Sequence, residues 1–454
     1  MSQLTSLYMS LTDNDLPIDK AVRDLLSEGY GVPIKGRMEK GVRVITYTID
    51  AKEPVYAYRQ EVADVSRLRR EQADAVIKLL GSIEKLANIE FRPVAHVDKV
   101  DNADIRLFQG RVLLPEAAKI KGGGFTHHSS SGRDVVLNNN EEPQAFAFGE
   151  HGYAILTHEV LHALGLSHPG GAGKNPRYTK DSTIMSYNYG KLAINGIGPF
   201  DVAALQYLYG KPQNQPLKRV VDTEELLEST VLYSESPITL ELNKQRHDRE
   251  AHGELYLNLA SKNFAKQIQG VLNGPVVTGG GSYLDVRLAP GTCVKDVLSG
   301  PDSRIEIHAV GNNLPNHLQG GARDDVLTPY GGNDVLTGGK GNDTFVLTPS
   351  SGFNNRVTDF TLGEDTLKVS GPNRVEVRRH PGGEGLDVVI KDKTNIEQAS
   401  LYLMKLTAND IRALDNIVIE HIQDDQATTP KPTPFTPNGK KLLPATPMGK
   451  KIRR

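Results

Sequence analysis

The chain has 454 residues, 24% of them charged and 38% hydrophobic, and a formal net charge of −2. That length supports two or three domains with cores of their own, and the balanced charge gives no nucleic-acid signal. A single cysteine, Cys293, excludes an internal disulfide, and no run approaches the roughly 18 apolar residues of a transmembrane helix.

Residues 1–40 are mixed and polar, with Gly29, Gly31, Pro33 and Gly36. They read as a leader or pro-segment, or as an ordinary disordered terminus. Met1 to Lys20 lacks the basic head and apolar core of a secretory signal peptide, so export would take another route. Val42–Ile49 is β-rich and partly alternating, a strand. From about Val62 to Ala87 the apolar residues fall at steps of three and four, a long amphipathic helix. Asn88–Val97 and Asp104–Phe108 read as two further strands. Gly122-Gly123-Gly124 with His127-His128 is either a loop at the rim of a substrate groove or a flexible turn carrying two surface histidines. Asp134–Asn138 is a short strand. An extended peptide could add to such a strand if it lies at a sheet edge.

His158 to Pro169 reads His-Glu-Val-Leu-His-Ala-Leu-Gly-Leu-Ser-His-Pro. On a helix, His158 and His162 lie one turn apart on the same face and can bind one Zn²⁺. Glu159 neighbours the first ligand and can act on water as a general base. Gly165 can leave the helix with positive φ, returning His168 as a third ligand. Three histidines leave the fourth position open, as a catalytic zinc requires. About twenty residues further on stands Ser182-Thr183-Ile184-Met185-Ser186-Tyr187. HExxHxxGxxH followed by a turn containing Met is the metzincin signature.

These residues carry a resemblance to a family. The string from Thr157 to Gly170, the turn Ile184-Met185-Ser186-Tyr187, and Pro199 to Gly210 resemble those of the serralysins, bacterial secreted zinc proteases. The resemblance implies His158, His162 and His168 as zinc ligands and Glu159 as the general base. It also implies Met185 as a hydrophobic floor and Tyr187 as a movable ligand that swings to the tetrahedral intermediate.

Residues 213–310 read as a connecting region and the start of a β domain. Near Gly311 a period of nine begins. Gly338-Gly339-Lys340-Gly341-Asn342-Asp343-Thr344-Phe345-Val346 matches GGxGxDxUx, and stepping back by nine reaches Asp334, Asp325 and Asn316. Each unit is a loop plus a short strand, and successive strands alternate sides of a parallel β-roll. Units 18 apart therefore stack: Asp325 over Asp343, and Asn316 over Asp334. Carboxylate and carbonyl oxygens suit Ca²⁺. The stack with two carboxylates should hold calcium well, and the one with Asp334 alone more weakly. The pattern resembles the RTX roll of serralysins. Beyond Asp425 the chain is Thr- and Pro-rich, with seven basic residues and no acid between Ala427 and Arg454. Such a tail cannot bury a core and should be disordered. It could address secretion machinery or an acidic partner.

The expected architecture is a leader (1–40), an α+β metzincin catalytic domain (41–212), a connecting region (213–310), an all-β parallel β-roll and sandwich (311–425), and a disordered basic tail (426–454). The expected function is a secreted, monomeric zinc endopeptidase acting on protein or peptide substrates, with Zn²⁺ for catalysis and Ca²⁺ for structure. The rival is a non-enzymatic calcium-dependent adhesion or delivery module on a retired protease fold.

Overall fold

The structure is a computed structural model that describes residues 18–26, 32–49, 62–94, 103–113, 123–129, 132–139, 146–147, 150–171, 173–189, 196–213, 215, 219–227, 229, 231–242, 252–258, 268–273, 282–288, 292–370, 374–382, 384–406 and 419–422. The basic tail (426–454) and the first 17 residues of the expected leader lie outside them.

The first unit comprises α1 (Ile18–Leu25), β1 (Arg37–Glu39), β2 (Val42–Thr48), β3 (Val62–Ser66), α2 (Arg70–Glu84), β4 (Ile89–Pro93), β5 (Ile105–Val112), β6 (Gly124–Ser129), β7 (Gly132–Asn138), α3 (His151–Ala163) and α4 (Pro199–Tyr209). Among the described residues its sheet has seven strands, ordered β1-β2-β5-β7-β6, with β4 on β2 and β3 on β5. β2 runs parallel to β4 and β5, and β5 parallel to β7. β6 turns back antiparallel on β7 and forms one edge. α2 buries Ala75, Val76, Leu79, Leu80 and Ile83, the stripe that its period places on one face. These side chains join Ile45, Ile105, Leu156, Val160 and Leu205 in one core.

Three sequence expectations change here. The helix expected from Val62 starts at Arg70. Val62–Ser66 is instead a strand, with Val62 opposite Val112 and buried with Phe108 and Val136. Its helix-like spacing is overridden by an apolar layer that only the fold assembles. The Gly- and His-containing stretch at 124–129 is neither a loop nor a free turn but the edge strand β6. Part of the expected leader is also folded into this unit. Ala21 and Leu25 are fully buried in its core, the Leu25 carbonyl accepts from Ser167 N–H at 2.6 Å, and the Tyr178 hydroxyl donates to Asp24 at 2.6 Å.

The second unit is almost all strand. The expected connecting region supplies β8 (Arg219–Asp222), the short helix α5 (Thr223–Leu227), β9 (Val231–Leu232), β10 (Ile238–Glu241), β11 (His252–Asn258), β12 (Ile268–Asn273), β13 (Ser282–Leu288), β14 (Val294–Leu298) and β15 (Arg304–Val310). The nine-residue units supply β16 (His317–Gln319), β17 (Val326–Thr328), β18 (Val335–Thr337) and β19 (Thr344–Leu347). Then follow β20 (Asn355–Val357), β21 (Thr366–Ser370), β22 (Arg374–Arg379), β23 (Leu386–Lys391), β24 (Glu397–Leu403) and β25 (Ile419–Ile422).

Among the described residues, two nine-stranded sheets result. One is ordered β22-β23-β24-β20-β18-β16-β14-β10-β8, the other β25-β21-β19-β17-β15-β11-β12-β13-β9. Even-numbered repeat strands fall in the first and odd-numbered ones in the second, as a nine-residue alternation requires. Parallel pairing sets Leu318 beside Leu336 and Leu327 beside Phe345, each 18 residues apart and all fully buried between the sheets. The protein is thus mostly β, with parallel sheets of the kind a β-roll builds. Among the described residues, no helix is long and apolar enough to cross a membrane.

Candidate active site

Two imidazoles stand on α3 and a third arrives by a reversal. The helix ends at Leu164, and Gly165 takes φ +103°, where its missing Cβ is needed because the Val32 carbonyl is 3.0 Å from where one would sit. The chain then returns His168. Its Nε2 lies 3.1 Å from His158 Nε2 and 3.2 Å from His162 Nε2.

The outer ring atoms explain why these inner ones face each other. His158 Nδ1 lies 3.0 Å from the Ile184 carbonyl, and His162 Nδ1 lies 2.7 Å from the Leu166 carbonyl. A carbonyl only accepts, so each Nδ1 carries the proton and each Nε2 presents a bare lone pair. Lone pairs converging at this spacing repel unless a cation lies between them. Tetrahedral zinc with bonds near 2.0–2.1 Å would set its nitrogen ligands roughly 3.3 Å apart, so the three residues fit zinc. Burial, reinforced by the His168 ring, lowers the His158 pKa to about 3. Burial and the adjoining rings hold His162 well below its ordinary value, and burial lowers His168. All three are therefore neutral, the form a metal takes.

Glu159 is 7% exposed, and burial pushes its carboxyl up to about 7, partly offset by the Thr126 hydroxyl. Thr126 is on β6, with its Oγ1 2.7 Å from Glu159 Oε2. His128, two residues along, places Nε2 3.0 Å from the His162 carbonyl. The edge strand thus braces the helix that carries the site. Tyr187 puts its hydroxyl 2.8 Å from His168 Nε2. Its ring lies against Gly173, where a Cβ would overlap it.

Met185 is fully buried, one residue after the carbonyl that holds His158. That turn is pinned by Asp201 on α4. Its fully buried carboxylate accepts from the Thr183 hydroxyl, from Ile184 N–H at 2.9 Å and from Gly198 N–H at 2.7 Å.

His158, Glu159, His162, His168 and Tyr187 are therefore brought together, with Gly165 and Met185 beside them. Sequence reasoning did not assign Thr126, Gly173 or Asp201 a place here, and brought His128 no nearer than the rim of a substrate groove. Asp201 opens a helix inside a string already quoted. The other three show no spacing signal, because β6 and the loop meet α3 only in three dimensions.

In the roll, Asp325 and Asp343 are stacked as expected: Asp325 N–H donates to Asp343 Oδ1 at 2.8 Å. Asp365, 22 residues on, continues the column, accepting from Asp343 N–H at 2.9 Å. The departure from 18 hid it. Burial pushes Asp325 and Asp343 up to about 7 and raises Asp365. A Cβ at Gly320 would run into the Asp325 carboxylate, and one at Gly338 into that of Asp343. Buried carboxylates in glycine cradles fit a hard cation of calcium type. Asp334 does not join this column. It is fully buried on the opposite turn edge, between Asn316 and Asn355, with its carboxyl raised to about 6 by burial.

The RTX calcium-binding nonapeptide repeat matches residues 310–345 in four copies. Metalloprotease AprA of Pseudomonas entomophila is 30% identical over 402 residues, covering 80% of this chain and 79% of that protein. Serralysin G of Dickeya chrysanthemi is 30% identical over 296 residues, which are 58% of this chain and 59% of that relative's length. The chain belongs to the serralysin-type metalloprotease family.

Proposed function

We propose that the chain is a zinc-dependent endopeptidase, stabilised by calcium, that cleaves protein substrates outside the cell. In this reading residues up to about 212 form a metzincin catalytic domain. The observation that carries it is the convergence of three Nε2 lone pairs from His158, His162 and His168, two of them fixed by carbonyls on the far side of the ring.

Zinc held there would supply Lewis acidity, acidifying water and polarising a peptide carbonyl. Glu159, oriented by Thr126, takes the proton from the attacking water and passes it to the leaving amine. The buried setting of Glu159 brings its pKa toward that of its task. Tyr187 turns its hydroxyl from His168 to the carbonyl oxygen as negative charge develops there. β6 lies beside α3 and ends the sheet among the described residues, the position from which a strand can hold an extended peptide by its backbone.

Zinc content and chelator-sensitive casein hydrolysis test the reading together. Glu159→Gln should keep zinc and lose about a hundredfold to ten-thousandfold in rate, the usual worth of a general base. A zinc-free protein, or equal rates in the two proteins, would leave the non-enzymatic module as the better reading.

A further inference from the structure

The two turn edges of the roll are built from different chemistry. On one edge stand Asp325, Asp343 and Asp365. Each takes a main-chain N–H from one coil earlier: Ile307 to Asp325 Oδ1 at 2.6 Å, Asp325 to Asp343 Oδ1, and Asp343 to Asp365 Oδ1. Among the described residues, no side-chain N–H or O–H donates to any of these three carboxylates. Their charge is met only by main-chain dipoles.

On the other edge stand Asn316, Asp334 and Asn355. The same main-chain ladder runs through them, from Asn316 N–H to Asp334 Oδ1 at 2.8 Å and from Asp334 N–H to Asn355 Oδ1 at 3.0 Å. Here, however, side-chain donors serve main-chain carbonyls, two at the start of β14 and two in the loops at Pro329 and Ser351. Asn312 Nδ2 donates to the Val294 carbonyl at 2.7 Å, and Asn316 Nδ2 to that of Lys295 at 2.8 Å. Asn355 Nδ2 donates to Ser351 O at 2.7 Å, and the Ser351 hydroxyl to Pro329 O at 2.9 Å.

A calcium site needs six to eight oxygens with lone pairs turned inward and enough negative charge to replace water. An amide nitrogen has hydrogens and no lone pair to offer. The Asn edge has one carboxylate where the Asp edge has three, and the main-chain carbonyls of Val294, Lys295, Pro329 and Ser351 beside it are already engaged by amide and hydroxyl hydrogens. These residues do not fit a calcium ion.

We propose that the Asn316–Asp334–Asn355 edge folds without calcium, its asparagine amides doing there what the cation does on the Asp325–Asp343–Asp365 edge. Calcium binding is thereby confined to one side of the roll. The inference rests on the calcium reading of the Asp edge. It departs from the expectation that Asp334 is a weaker calcium ligand.

The test is a calcium titration of the full-length, calcium-depleted Glu159→Gln protein by equilibrium dialysis, with three further variants made from it. Asp334→Asn should leave the number of bound calcium ions and their half-saturation unchanged. Asp343→Asn should lose one ion or more. Asn316→Asp with Asn355→Asp should gain one, since it restores carboxylates and removes the amide donors. Loss of an ion in Asp334→Asn, or no gain in the double variant, overturns the proposal. Should Asp334→Asn fail to fold, the double variant decides alone. If the parent binds no calcium at all, the calcium reading of the Asp edge fails instead, and the two failures are distinct.

Discussion

The Thr126 hydroxyl lies 2.7 Å from Glu159 Oε2 and 2.9 Å from the Glu159 main-chain carbonyl, tying the edge strand to the residue proposed as general base. Its one proton serves the carboxylate best when that group is charged, so it favours the ionised form. Thr126→Val keeps the β-branched shape and removes the donor. A hydrogen bond to a charged group is worth about 1.5–3 kcal/mol, so kcat/KM should fall roughly ten- to hundredfold with zinc retained. The acid limb of the pH–rate profile should move to higher pH, because the carboxylate loses a stabilising partner. An acid limb that stays in place would show that the contact only packs the strand.

Tyr187 and Gly173 make a linked prediction. Removing one oxyanion donor costs about a hundredfold to a thousandfold in kcat, so Tyr187→Phe should slow turnover by that order and keep zinc. Gly173→Ala places a methyl where the Tyr187 ring now lies, forcing the ring away from its present position. It should therefore lower kcat on its own. Its effect should largely vanish in the Tyr187→Phe background, since contacting residues are not additive. Independent, multiplying losses would separate Gly173 from Tyr187.

Asp201 reaches the proposed metal ligand His158 through one turn. Its carboxylate holds Ile184 N–H, and the Ile184 carbonyl holds His158 Nδ1. Partners that orient a ligand typically contribute ten- to hundredfold in metal affinity. Asp201→Asn should weaken zinc binding by that order, read by competition with a chelating dye, and kcat of the zinc-saturated enzyme should fall far less. A variant with full zinc affinity would confine Asp201 to helix capping.

What could be read from sequence was what local spacing encodes. The i, i+4 histidines, the Gly165 reversal and the nine-residue period each put their residues together with little help from the rest of the fold. The register Leu327 to Phe345 follows from the period alone. What could not be read depends on distant segments meeting. Val62 looked helical because its spacing matched α2, but its partner is Val112, fifty residues away. The stretch from Gly122 to His128 looked like a groove-rim loop or a flexible turn. Only the β6–β7 pairing shows that Thr126 and His128 face α3. Ile18, Ala21, Val22 and Leu25 do fall at helical steps of three and four, but eight residues inside a polar stretch read as a leader, and only the core that closes over them shows that they belong to the catalytic unit.

The calcium-free roll should be more stable in mild acid than at alkaline pH. Burial raises Asp325 and Asp343 to about 7 and Asp334 to about 6, above the ordinary carboxyl value that they regain on unfolding. Between about pH 4 and 7 the folded chain then holds more protons than the unfolded one, so stability falls as pH rises through that window. Calcium supplies the missing positive charge, and its stabilisation should be larger at pH 8 than at pH 5.5. The three converging histidines, whose pKa values are lowered, act in the opposite direction in metal-free protein. The clean measurement is therefore the difference in Tm between the Glu159→Gln protein and the same protein carrying Asp343→Asn, both without metal, across pH 5–8. In that difference the histidines cancel. The Asn variant should gain on its parent as pH rises, because an amide never acquires the buried charge. A difference that stays flat with pH would mean that Asp343 stays ionised throughout, held by a positive group other than calcium.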